Sequence, residues 1–106
     1  MFRSKVYTRD TLKLAKSFPP GEFIRKELRA RNWTQTRFAR ILGRPAQFVS
    51  DVVRAKRSIT PQTALELAAA FGTSPQLWLN LEQSWQLSRA KPADPAIARR
   101  AKQAAA

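Results

Sequence analysis

The sequence predicts an all-α fold, and three observations carry the prediction. Apolar residues recur at helical spacing along the middle and second half of the chain. Capping residues, prolines and glycines punctuate those runs at short intervals. With 106 residues, of which 43% are apolar, there is room for one domain around one modest core.

Residues 1–18 follow neither the strand nor the helix period. Val6 to Thr8 suit a short strand and Asp10 suits the cap of a helical turn, so this poorly defined segment reads as a basic arm or as a frayed end. The domain proper spans residues 19–90. Pro19, Pro20 and Gly21 break the preceding chain and open a helix over residues 21–31, with Phe23, Ile24 and Leu28 inward, Glu22 near its positive N-terminus, and Arg25, Lys26, Arg29 and Arg31 outward. Asn32 ends it.

Thr34 then reads as an N-cap, because its hydroxyl can accept from a backbone N–H that has no partner inside the helix. Phe38, Ile41 and Leu42 give the buried face of this helix, and Gly43 closes it where positive φ is needed. Pro45 suits the first turn of the next helix, since its missing N–H would have had no intrahelical partner. Phe48, Val49, Val52 and Val53 form an apolar stripe on that helix. Its opposite face carries Ala46, Gln47, Ser50, Asp51 and Arg54. Thr60-Pro61 opens a fourth helix, with Ala64, Leu65, Leu67, Ala68 and Phe71 on the core and Gly72 closing it. Ser74-Pro75 opens a fifth over residues 75–90. Residues 91–106 form a basic C-terminal tail, expected to be mobile, in which Asp94-Pro95 can start one more helix bearing a single large apolar residue, Ile97.

Two short helices joined by a tight turn have the shape of a helix-turn-helix. A helix that enters a DNA major groove needs short polar or small side chains near its N-terminal end, because base edges are read there. Gln47 can pair bidentately with adenine and Ala46 can touch a thymine methyl. Ser50 can bond either kind of edge, and Asp51 can accept from a cytosine amino group or orient a neighbouring arginine. The cations flanking this face, Arg44, Arg54, Lys56 and Arg57, are expected at phosphate, with backbone N–H groups after the helix assisting Lys56 and Arg57. The wet side of an ordinary surface helix would look similar; the preceding helix, the turn and the charge distribution favour the groove.

Twenty Lys and Arg against seven Asp and Glu give a net charge of +13, which favours a polyanionic partner. Ten of the twenty cations fall between Arg25 and Arg57, whereas residues 58–88 carry none, so one half of the domain is built to meet phosphate. The basic tail adds non-specific attraction to nucleic acid. With no His, no Cys and scattered carboxylates, no catalytic site, metal site or cofactor is expected. A Ser50–Lys56 dyad is explained more simply by the groove reading. No run of about 20 apolar residues needed to span a membrane occurs and the N-terminus is no secretory signal, so a cytoplasmic or nucleoid-associated protein is expected.

The fifth helix carries Leu77, Trp78, Leu81 and Trp85, more apolar bulk than one side of such a core absorbs. These four are expected at a homodimer interface, where aromatic residues are enriched, with packing inside their own core as the alternative. A two-fold dimer would match a palindromic operator with half-sites about 34 Å apart.

Three stretches carry a resemblance: PPGEFIRKEL at 19–28, WTQTRFARILGRPAQFVSDVVRAKRSITPQTALELAAAFGTSPQLWLNLE at 33–82 and WQLSRA at 85–90. Together they resemble the HigA and VapI antitoxin branch of the XRE, or Cro/CI-like, helix-turn-helix family. The resemblance implies a five-helix, lambda-repressor-like domain that dimerises on double-stranded operator DNA and represses transcription, often of its own gene. In toxin–antitoxin members it also implies a RelE-like toxin as partner; a stand-alone regulator without a toxin is the alternative. It places contacts at Gln35, Ala46, Gln47, Ser50 and Asp51, with backbone clamping near Lys56 and Arg57. The chain departs from the family at Pro19, where a histidine is usual, and at Arg54-Ala55, where Asn-Gly is usual, losing a glycine that tolerates positive φ. Its charge is also high for an antitoxin of a basic nuclease. Longer relatives continue past a segment similar to DPAIARRAK, which would make this a shortened descendant.

Overall fold

Thr34, Thr60 and Ser74 start three helices as their hydroxyls predict, each accepting from the backbone N–H three residues on: Arg37 at 3.0 Å, Thr63 at 3.2 Å and Leu77 at 3.2 Å. The computed structural model describes residues 18–105, and these contain six helices and no strand. They are α1 (Pro20–Arg31), α2 (Gln35–Leu42), α3 (Ala46–Val53), α4 (Pro61–Phe71), α5 (Pro75–Arg89) and α6 (Pro95–Ala105). The expectations for residues 1–17 lie outside the described residues.

Left-handed residues end the first, second and fourth helices: Asn32 at φ 56°, Gly43 at φ 70° and Gly72 at φ 73°. Helix α3 begins one residue later than expected. Pro45 is its N-cap, in extended conformation, and has no side-chain oxygen to donate to.

The core is a single cluster in which α1 lies on α3 and α5, α2 on α3 and α4, and α5 runs along α4. At its centre Phe38 and Phe71 stack at 4.9 Å, with Trp33 beside both and Trp78 tilted onto Phe71 at 5.6 Å. The indole N–H of Trp78 donates to the Thr73 hydroxyl at 2.7 Å, so this ring is buried without an orphaned donor.

Several expected core positions are corrected. Ile41 is 45% exposed and Leu65 54% exposed; Ala39 takes the buried place on α2, because the stripe facing the core runs through Phe38, Ala39 and Leu42. Arg31 is not an outward cation. It pairs with Glu27, which is 1% exposed, donates to the Phe71 carbonyl at 3.1 Å, and lies over the rings of Trp33 and Phe71. The pair ties the end of α1 to the end of α4.

In the C-terminal tail, expected to be mobile, residues 95–105 are helical: Asp94 accepts from the Ala96 N–H at 3.0 Å at the start of α6, and none of the helix's residues is buried.

Candidate nucleic-acid interface

The turn between α2 and α3 is short because Gly43 reverses the chain at once. Its N–H bonds the Arg40 carbonyl at 3.1 Å and the Arg44 N–H bonds the Ala39 carbonyl at 2.9 Å, the paired closure of a left-handed helix end. That fixes the angle at which α3 leaves α2. Val49, Val52 and Val53 then bury one side of α3. The same period turns Ala46 and Gln47 to solvent and leaves Ser50 and Asp51 partly exposed on the other side. All four expected base-reading residues therefore share one outward face.

That face is not passive. Gln47 Nε2 donates to Asp51 Oδ1 at 2.8 Å, one helical turn on. Asp51 orients an amide here, not the arginine that was one of its expected partners. Pro45 has no side-chain capping oxygen and its carbonyl accepts from the Phe48 N–H at 3.0 Å, which leaves the N–H groups of Ala46 and Gln47 to outside acceptors.

Of the expected phosphate residues, Gln35 is the first residue of α2, beside exposed Thr36 and Arg37. Arg54, Lys56 and Arg57 are exposed just past α3. Two corrections apply. The backbone N–H groups of Lys56 and Arg57 both bond the Asp51 carbonyl, at 2.8 and 3.2 Å, so their side chains alone are left for phosphate. Arg44 is held inward: its Nε and Nη2 donate to the two oxygens of Glu66 at 3.0 and 2.7 Å, a bidentate pair joining the turn to α4. The Arg44 guanidinium lies over the Phe48 ring at 4.6 Å, and that of Arg57 lies over it at 5.0 Å. Arg44 therefore positions α3, while Phe48 seats Arg57 beside it.

The Arg44 hydrogen bonds hold the Glu66 carboxyl below its ordinary value, against the opposing effect of burial, with Gln62 assisting. A glutamate depressed in the folded state stabilises it above about pH 4.3, the unfolded value, and this contribution is lost as the pH falls through the lower folded value.

Sequence reasoning missed Glu82. It is 9% exposed, and its oxygens accept from the Ile59 N–H at 2.9 Å and from Gln86 Nε2 at 2.6 Å. The loop that carries Lys56 and Arg57 is thereby fastened to α5. Ala55, the residue the sequence places where a glycine would tolerate positive φ, takes the left-handed conformation at φ 61°. A residue with a Cβ costs about 1–2 kcal/mol there. Ala55→Gly is therefore expected to stabilise the fold by about 1 kcal/mol, raising the melting temperature by about 4–8 °C. A melting curve at or below that of the parent would show that the turn holds no strain.

Two of the four expected interface residues are corrected as well. Trp78 and Leu81 are each 0% exposed within one chain and have no surface to give a partner. Trp85 continues their stripe past the end of the core and is partly exposed, as is Leu77, while Leu87 is 77% exposed. Every carboxylate of the described residues has an internal partner, so no free acidic patch faces α3.

Comparison with known proteins agrees with this geometry. A helix-turn-helix family model matches residues 24–78, about half of the chain. The chain is 34% identical over 80 residues to the uncharacterised HTH-type transcriptional regulator YddM of Escherichia coli K12, covering 76% of this chain and 85% of that protein. It is 34% identical over 73 residues to virulence-associated protein I of Dichelobacter nodosus, covering 68% of each. Among solved structures it is similar to an addiction module antidote protein of the HigA family from Coxiella burnetii, with a TM-score of 0.66, 36% identity, and 69% of this chain and 80% of that one covered. It is likewise similar to Pseudomonas aeruginosa antitoxin HigA with the higBA promoter, at a TM-score of 0.65 and 34% identity over 81% of this chain and 88% of that one. The matched span runs from α1 through the α2–turn–α3 unit into α5, and on that span the chain belongs to the XRE-type helix-turn-helix family.

Proposed function

We propose that the protein is a DNA-binding transcriptional repressor that acts in the cytoplasm as a homodimer on a palindromic operator upstream of its own gene. The carrying observation is the outward face of α3, where Gln47 stands exposed with Asp51 at its amide and with Arg54, Lys56 and Arg57 beyond the helix end. Short polar side chains meet base edges and the cations meet phosphate on either side. Similarity to Pseudomonas aeruginosa PA4674 in complex with its operator DNA, at 34% identity and a TM-score of 0.68 over 76% of this chain and 88% of that one, supports the reading. The basic α6, with Arg99, Arg100 and Lys102 exposed, adds sequence-independent attraction.

A footprint of the purified chain on the DNA upstream of its coding sequence tests this. The expected result is a protected, symmetric site about one or two helical turns long; no protection at any concentration that binds random DNA contradicts it.

Dimerisation is assigned to the partly exposed residues of α5, Leu77 near its start and Trp85 in its last turns. Trp85→Ala is expected to shift the chain towards monomer in sedimentation velocity at low concentration. An unchanged sedimentation coefficient would mean that Trp85 only pads its own chain.

A second reading, that the protein also holds a RelE-like toxin, is favoured by its similarity to proteins described as antitoxins. Purification of the chain from its native cells tests it, with a second small protein retained through high salt as the expected result and the chain alone as the contrary one.

A further inference from the structure

Between Glu27 and Glu66 the chain carries a single carboxylate, Asp51, and it stands on the outward face of α3. A negative charge there repels phosphate, so on a helix that meets DNA it lowers affinity unless it does something else. Among the described residues its side-chain partner is the amide of Gln47, at 2.8 Å, and not any of the cations nearby.

The chemistry of that contact removes an ambiguity. A glutamine amide has nearly the same shape with its oxygen and nitrogen exchanged, and a free exposed one can turn either way. An ionised carboxylate has no proton to give, so it accepts from the nitrogen and repels the oxygen. Asp51 therefore fixes which end of the Gln47 amide faces it. An amide nitrogen carries one N–H on the same edge as the carbonyl oxygen and one on the opposite edge. The carboxylate repels the amide oxygen, which favours giving it the opposite N–H; the remaining N–H and the oxygen then project together as a donor–acceptor pair. The major-groove edge of adenine is the complement: N7 accepts and N6 donates. Guanine, with acceptors at both N7 and O6, offers nothing to the glutamine oxygen.

We infer that Asp51 is a positioning residue for specificity: it presets the Gln47 amide so that α3 reads an adenine, one in each half-site. This rests on the reading that α3 enters the major groove. It differs from direct recognition of a cytosine amino group by Asp51, which would place the preference at another base pair.

The test begins with selection of a binding motif by the full chain from a random duplex library. Affinities of the parent, Gln47→Ala, Asp51→Asn and the double variant are then measured by fluorescence anisotropy on the selected duplex and on copies altered at one base pair. The readout is the ratio between two duplexes differing at one position, so a general loss of affinity or of folded protein cancels. Asparagine can donate to the glutamine oxygen or accept from its nitrogen, which restores both amide orientations. Asp51→Asn is therefore expected to reduce discrimination by about tenfold at the same A·T pair where Gln47→Ala reduces it, and to have no further effect in the Gln47→Ala background. Replacing that adenine with 7-deazaadenine should cost the parent about as much and Asp51→Asn much less.

An Asp51→Asn protein that keeps the parental ratio at that pair would overturn the inference, as would a loss confined to a C·G pair elsewhere. Failure of the parent to select any motif would instead remove the DNA reading itself.

Discussion

Gly21→Ala is expected to destabilise the protein by about 3 kcal/mol or more, against the usual trend of helices. Alanine is the better helix former by about 1 kcal/mol, so local propensity alone predicts a gain. Gly21, however, is buried where α1 meets the last residue of α3. A Cβ there would come within 2.6 Å of the Val53 carbonyl carbon and 2.8 Å of its Cα, and closer still to its oxygen. These are backbone atoms at a helix end and cannot rotate aside, so α1 and α3 must separate and the packing of Val53 and Ile24 is lost. The melting temperature should fall by about 12 °C or more, and operator affinity should fall with it because α3 is displaced. A variant that melts at or above the parental temperature would show that α1 does not set the position of α3.

Affinity for DNA is expected to fall about 10³- to 10⁵-fold between 50 and 200 mM salt. A dimer that neutralises about 6–10 phosphates releases a matching number of counterions, and the logarithm of affinity then falls linearly with the logarithm of salt. The cations available for this are Arg54, Lys56 and Arg57 beyond α3, with the exposed Arg37 and Arg40 on α2. Arg44 is omitted because its Nε and Nη2 already pair with Glu66, whose carboxylate offsets its charge. Titration by anisotropy at several salt concentrations measures the slope, and a flat response would contradict an interface built on phosphate.

Local chemistry made much of the fold legible in the sequence. The hydroxyls of Thr34, Thr60 and Ser74, the prolines after two of them, and Gly43 and Gly72 act within three or four residues of themselves, and each marks the helix end where it was read. The period also separated the two faces of α3. It was weaker on α2, where eight residues leave the buried stripe uncertain by a fraction of a turn, and Ile41 and Ala39 exchanged places.

Side-chain pairs that join distant parts of the chain were not legible. Arg44 and Glu66 lie 22 residues apart and Glu82 and Ile59 lie 23 apart; no period relates them, and an arginine beside a recognition helix looks the same whether it meets phosphate or a carboxylate. Glu27 did leave a signal. It falls on the stripe of Phe23, Ile24 and Leu28, with Arg31 four residues on, the spacing of a helical ion pair drawn into the core. Trp78 and Trp85 share one stripe, and the sequence does not say where along it the core stops. That depends on how far α5 runs past α4, which places Trp78 inside and leaves Trp85 at the edge.

The most direct test of the proposal that α3 reads bases is the affinity of Gln47→Ala for its footprinted operator and for random duplex at one fixed salt concentration. The expected result is a loss of about 1–3 kcal/mol on the operator with little change on random DNA, because a bidentate base contact is removed while the phosphate contacts stay. An equal loss on both duplexes, or none on either, would contradict a role for this face of α3 in reading sequence.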